Sequence, residues 1–220
     1  MNKMNSVGRV SPKIMKVKGP LILESGKSLE NYEIIYEVYG DLNPTKNNAV
    51  LTCHALSSNH HVAGYHNGDK KPGWWDNMVG PNKPINTENF FVVSLNNIGG
   101  CHGSTGPKSI NPKTNKVYGS SFPIVTVGDW VNVQKILMDY LKIPFWQIVV
   151  GGSLGGMQSF QWAIQYPSLI KNSIVIAAAT RLTAQNIAFN EVARQAIMKD
   201  PNWHEGNYIE KNTSPEQGLA

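Results

Sequence analysis

Apolar and polar positions alternate along this chain in two rhythms. Tyr32 to Tyr39 (YEIIYEVY) partly alternates and is rich in β-branched and aromatic residues, which predicts a strand. Shorter apolar runs at 49–53, 90–95, 146–150 and 173–178 predict buried strands. Between them the spacing becomes helical. Thr126 and Asp129 stand three apart, as a capping box requires, and Trp130, Val133, Leu137 and Leu141 follow on one face. Met157, Phe160 and Ile164 line a second helix from Leu154 to Tyr166, which Pro167 ends. Phe189, Val192, Ala193 and Ala196 stay in register over 186–199, and Pro201 stops that helix. Residues 1–20 lack such a rhythm and read as a flexible lead-in. Strands alternating with helices predict an α/β architecture with a mostly parallel sheet.

Composition narrows this picture modestly. With 220 residues, 41% hydrophobic and 16% charged, the chain can bury a sizeable core. No apolar run approaches the roughly 18 residues of a membrane span, and the basic N-terminus lacks the apolar segment of a signal peptide. A cytoplasmic location without membrane association is expected. Cys53 and Cys101 lie far apart and outside any metal-ligand spacing, so both read as small buried hydrophobes. The net charge of +5 fits a solvated lysine-rich surface better than a nucleic-acid partner, for which no motif exists.

The chemistry centres on Val149 to Met157. Residues 151–155 spell G-x-S-x-G between a predicted strand and a predicted helix. That context holds a serine, Ser153, on a sharp turn above the end of a parallel sheet. The backbone N–H of Leu154 then lies at a helix N-terminus, where it can stabilise an oxyanion, and the loop beginning His54-Ala55-Leu56 suits the second donor. The glycine-rich loop at 99–106 matches neither phosphate-binding pattern and reads as structural or substrate-facing. His60 and His61 are adjacent, and adjacent side chains of an extended segment diverge, so no metal site is expected.

A serine nucleophile also needs a base and an acid. In this fold class they follow the serine, yet the only downstream histidine is His204. Asp200 and His204 are four apart but are separated by the helix-breaking Pro201. The expectation is that the Asp and His lie beyond residue 220.

Several separated motifs resemble homoserine O-acetyltransferase of the α/β-hydrolase superfamily: His54-Ala55-Leu56, Gly73-Trp74-Trp75-Asp76, Gly99 to Pro107, Gly151 to Gln158, and Asp200-Pro201-Asn202-Trp203. The resemblance implies an α/β-hydrolase fold with helices on both faces of the sheet. It implies an incomplete core at 21–180, cut before its last strands, and the beginning of a helical lid at 181–220. It further implies ping-pong transfer from acetyl-CoA through Ser153 to L-homoserine, with Leu56 and Leu154 as oxyanion donors, no permanently bound cofactor and no metal. The full-length enzyme would be a homodimer in methionine synthesis. The alternatives are succinyl-CoA as donor, serine as acceptor, a serine esterase or thioesterase, and a catalytically inactive fragment. Ser57-Ser58-Asn59 and His102 depart from the family pattern, and family members are longer.

Overall fold

The computed structural model describes residues 5–220. Its frame is a six-stranded sheet: β1 (Lys13–Ile22), β2 (Ser28–Tyr39), β3 (Ala49–Cys53), β4 (Phe91–Leu95), β5 (Ile148–Gly152) and β6 (Ser173–Ile176), in the spatial order β1-β2-β4-β3-β5-β6. The last four in that order run parallel, and β2 is antiparallel to both its neighbours. Helix α1 (Val127–Tyr140) joins β4 to β5, α2 (Leu154–Gln165) joins β5 to β6, and α3 (Ala184–Lys199) follows.

Side chains of the central strands alternate between two cores. Leu51, Cys53, Val93, Leu95 and Val149 pack with Val131, Val133, Leu137 and Met138 of α1 and Trp162 of α2. Val50, Val92 and Val150 face the other way, onto Val62, Ala63 and Val79. Among the described residues, helices α1 and α2 therefore cover one face only. The second face is covered by the irregular connection 54–90, whose many Gly, Pro and Asn residues carry no helical period.

The N-terminal expectation also changes. Residues 1–4 lie outside the described residues, but Lys13–Ile22 is a full edge strand paired with β2. Its register shifts between Val17 and Pro20, where Gly19 has φ +97°. Lysines 13, 16 and 18 face solvent while Met15 and Leu21 are buried. Lysines and a bulge on an edge strand discourage pairing with another chain, and they are also what hid the strand in the sequence. Even residues 8–10 are held, since Tyr65 N–H donates to Gly8 O and Val10 N–H to Tyr65 O, both at 3.0 Å.

Helix α1 begins as its sequence predicts. Asp129 N–H donates to Thr126 Oγ1 at 3.1 Å and Thr126 N–H to Asp129 Oδ2 at 2.9 Å. The α2 face is reversed. Gly155, Gly156, Gln158, Ser159 and Trp162 are buried, whereas Ile164 is 70% exposed. Met157, Phe160 and Ile164 instead line an open groove of about 200 Å³ with Ala179 and Leu182. Small residues win the inward face because they let the helix lie against the strands. Helix α3 has a capping box of its own, Thr183 with Asn186, but buries no residue; Phe189 and Val192 are exposed.

Candidate active site

β3 and β5 are parallel neighbours, with Cys53 opposite Gly151. The loops that follow them therefore open at the same edge of the sheet, the carboxyl ends of its parallel strands, where open α/β sheets bind ligands.

The turn after β5 is dictated by backbone crowding. A Cβ on Gly155 would stand 2.0 Å from Cys53 O, and one on Gly151 2.4 Å from Gly155 O. A Cβ on Gly156 would meet the Ala178 side chain at 2.6 Å. At Gly152, by contrast, the nearest atom would be 3.8 Å away. The constrained positions are thus the two motif glycines and the one after them. Ser153 itself sits at φ 55°, ψ −121°, a strained conformation for a side-chain-bearing residue, costing about 1–3 kcal/mol. Ser153 N–H donates to Ile176 O at 2.9 Å, which ties the turn to β6. The side chain is exposed, and no hydrogen bond joins its hydroxyl to a histidine or carboxylate among the described residues. Leu154 opens α2, so its N–H has no intrahelical acceptor.

The loop after β3 is held by side chains. His54 is buried; its Nδ1–H donates to Ala55 O at 2.8 Å and its Nε2 accepts from Asn97 N–H at 3.1 Å. Those two bonds require the neutral ring, and burial, assisted by His102, lowers its pKa below the usual histidine value. Behind it, Gln158 Nε2 donates to His54 O at 3.1 Å and to Leu154 O at 3.3 Å. Gln158 Oε1 accepts from Gln134 Nε2 at 2.6 Å, and Gln134 Oε1 accepts from Trp162 Nε1–H at 2.6 Å. One buried amide pair thereby joins α1, α2, the serine turn and the β3 loop. Leu56, two residues beyond His54, is 84% exposed, and its N–H makes no hydrogen bond among the described residues. Gln134 is a functional residue absent from the expectations above. Its signal was a glutamine inside the apolar stripe of α1, between Val133 and Leu137.

The other motifs settle into supporting places. Gly73 would clash with Val62 at 2.3 Å if it carried a Cβ, and Trp75 N–H donates to Val62 O at 2.8 Å. Asp76 Oδ1 accepts from Gly64 N–H at 2.8 Å and its Oδ2 pairs with Lys83 at the same distance. This segment braces the histidine loop. The glycine-rich stretch continues the edge of β2 beyond β4: Thr105 N–H donates to Glu33 O at 2.9 Å and Ile35 N–H to Ser104 Oγ at 3.0 Å. Cys53 is buried as expected, and its thiol pKa is pushed up to about 12 by that burial; Cys101 is exposed, contrary to expectation. Asp200 does not face His204. It accepts from Asn202 N–H at 2.8 Å and Gly218 N–H at 2.9 Å, which lowers its pKa and makes it a backbone cap. His60 and His61 do not diverge, because their loop is not extended: His60 Nε2 lies 3.8 Å and His61 Nδ1 3.1 Å from the two oxygens of Glu37. No helix is long and apolar enough to cross a membrane among the described residues.

Known proteins resemble this arrangement in sequence and in shape. A family model described as alpha/beta hydrolase fold matches residues 48–217. A homoserine O-succinyltransferase of Hahella chejuensis is 60% identical over 216 residues, which cover 98% of this chain and 56% of that protein. The crystal structure of a homoserine O-acetyltransferase from Bacillus anthracis superposes with a TM-score of 0.88 at 32% identity, over 96% of this chain and 57% of that one. That of esterase E22 gives a TM-score of 0.88 at 36% identity, covering 96% and 58%. The chain thus spans a little over half the length of the relatives it matches.

Proposed function

The chain belongs to the alpha/beta hydrolase fold family, and from that premise we propose that it contributes the acyl-carrying part of a homoserine O-acyltransferase site. Ser153 is the nucleophile in this reading. Its hydroxyl oxygen attacks the thioester of an acyl-CoA, CoA leaves as the thiol, and the homoserine hydroxyl then takes the acyl group from the serine. The Leu154 N–H and the Leu56 N–H stabilise the tetrahedral oxyanion in each half. The base and acid that move the protons are assigned to no residue here: no hydrogen bond links Ser153 to a histidine or carboxylate among the described ones.

The single observation that carries the reading is the strained Ser153 backbone, locked by three crowded glycines beside a loop with a free N–H. The acyl group follows from the relatives. Acetyl-CoA was the first expectation, but the relative at 60% identity is named for succinyl transfer, so succinyl-CoA is the favoured donor and acetyl-CoA the second. The test uses the whole encoded protein. Succinyl-CoA and L-homoserine should give O-succinylhomoserine, faster than acetyl-CoA gives the acetyl ester, and Ser153→Ala should abolish both. Turnover retained by that variant rejects the nucleophile.

A second reading is ester or thioester hydrolysis, favoured by the likeness to esterase E22. Release of free acid at a rate indifferent to homoserine would establish it.

A further inference from the structure

Five titratable side chains converge behind the β3 loop: Glu37 from β2, and His60, His61, His66 and Asp69 from the loop itself. Glu37 is 1% exposed. Its Oε2 accepts from the Tyr39 hydroxyl and from His61 Nδ1, the latter at 3.1 Å. Its Oε1 is in hydrogen-bond contact with His66 Nε2 and stands 3.8 Å from His60 Nε2. Asp69 Oδ2 is 3.7 Å from both His61 Nε2 and His66 Nδ1.

His60 is the member that hydrogen bonds leave wholly unpartnered, while His61 lacks a partner at Nε2 alone. Its side chain is only 9% exposed, and neither of its ring nitrogens has a hydrogen-bond partner. Burying an unpartnered polar atom costs roughly 1–3 kcal/mol. This ring carries two such atoms, one of them directed at a buried carboxylate oxygen.

We propose that Glu37, His60 and His66 bind one divalent transition-metal ion of the zinc class. Their donor atoms lie within 4.8 Å of one another. A tetrahedral zinc with bonds near 2.0–2.1 Å sets its ligand atoms about 3.3 Å apart. Binding therefore draws His60 inward and moves His66 off the carboxylate. Tyr39 and His61 hold the far oxygen of Glu37 and leave the near one for the ion, the usual work of outer partners. Asp69 supplies a second negative charge. Imidazole and carboxylate donors suit zinc, cobalt or nickel, whereas calcium and magnesium take oxygen shells. His66 and Asp69 also line an open cleft of about 1080 Å³, which admits the ion and a water as fourth ligand. The ion would staple the loop after β3 to β2, and its effect is read on stability.

The whole encoded protein, stripped with a chelator, is titrated with Co²⁺ and then Zn²⁺. A single equivalent of cobalt should bind with visible d–d absorption, zinc should displace it, and the thermal midpoint should rise. His60→Ala should weaken binding more than about 100-fold and Tyr39→Phe about tenfold. Because His60 is buried, His66→Gln serves as a second variant at a partly exposed position and should show the same loss as His60→Ala. Folded wild-type protein that takes up neither metal overturns the proposal, as does uptake that both histidine variants retain.

Discussion

Two loops leave the sheet side by side, and they are fixed by opposite means. The turn after β5 is set by backbone against backbone: its glycines have no room for a methyl group, and its serine is held in a strained conformation as a consequence. The loop after β3 is set by polar side chains, through His54, Gln158 and the Glu37 cluster. The first kind of constraint is short-range and written in consecutive residues. The second gathers residues more than a hundred positions apart, as in the bond from Gln158 to His54 O.

The largest effect expected is on chemistry. Ser153→Ala should lower turnover by about 10⁴-fold or more in the whole encoded protein while leaving the unfolding curve in place. Next comes the crowded backbone. Gly155→Ala forces a methyl group to within 2.0 Å of Cys53 O and should cost about 3 kcal/mol in urea unfolding. Gly152→Ala, with its nearest contact at 3.8 Å, should be far milder. If the two glycine variants behave alike, the turn is not held by crowding.

The polar loop should respond more gently and in a different observable. Gln158→Leu leaves His54 O and the Gln134 amide without partners and should cost about 1–3 kcal/mol. It should also lower kcat more than it raises KM, because it loosens the segment that carries Leu56. The smallest effect is a pH dependence. Burial lowers the folded pKa of His54 below its unfolded value of about 6.5. In the acidic window the unfolded chain therefore binds more protons. The stability contributed by neutral His54 is full above about pH 6.5 and is lost as pH falls toward the lowered folded value, by at most about 1.4 kcal/mol per pH unit. Denaturation midpoints measured from pH 7 to pH 5 should fall, and His54→Asn should flatten the slope.

The same division explains what the chain reveals before it is folded. The central strands, the capping box of α1 and the serine turn are local signals, and each stands where the residues place it. The face of α2 is not local. Met157, Phe160 and Ile164 form the more apolar stripe, yet Gly155, Gly156 and Ser159 go inward because only small residues let the helix approach β5 and β6. β1 is masked by Lys13, Lys16 and Lys18, which mark a sheet edge rather than a tail. Helices α1 and α3 carry equivalent caps, and a cap announces a helix without saying which face it buries. The histidine cluster was invisible because Glu37 reaches it from a different strand and the loop turns two adjacent histidines to the same carboxylate.

The destination of the acyl group is the most direct test of Ser153 as nucleophile. The whole encoded protein is incubated with succinyl-CoA in the absence of homoserine, digested, and its peptides weighed. A single succinyl ester on Ser153, discharged on adding homoserine with formation of O-succinylhomoserine, is the predicted result. An unmodified Ser153 in protein that still makes the product, or an acyl group on another residue that turns over at the same rate, would contradict it.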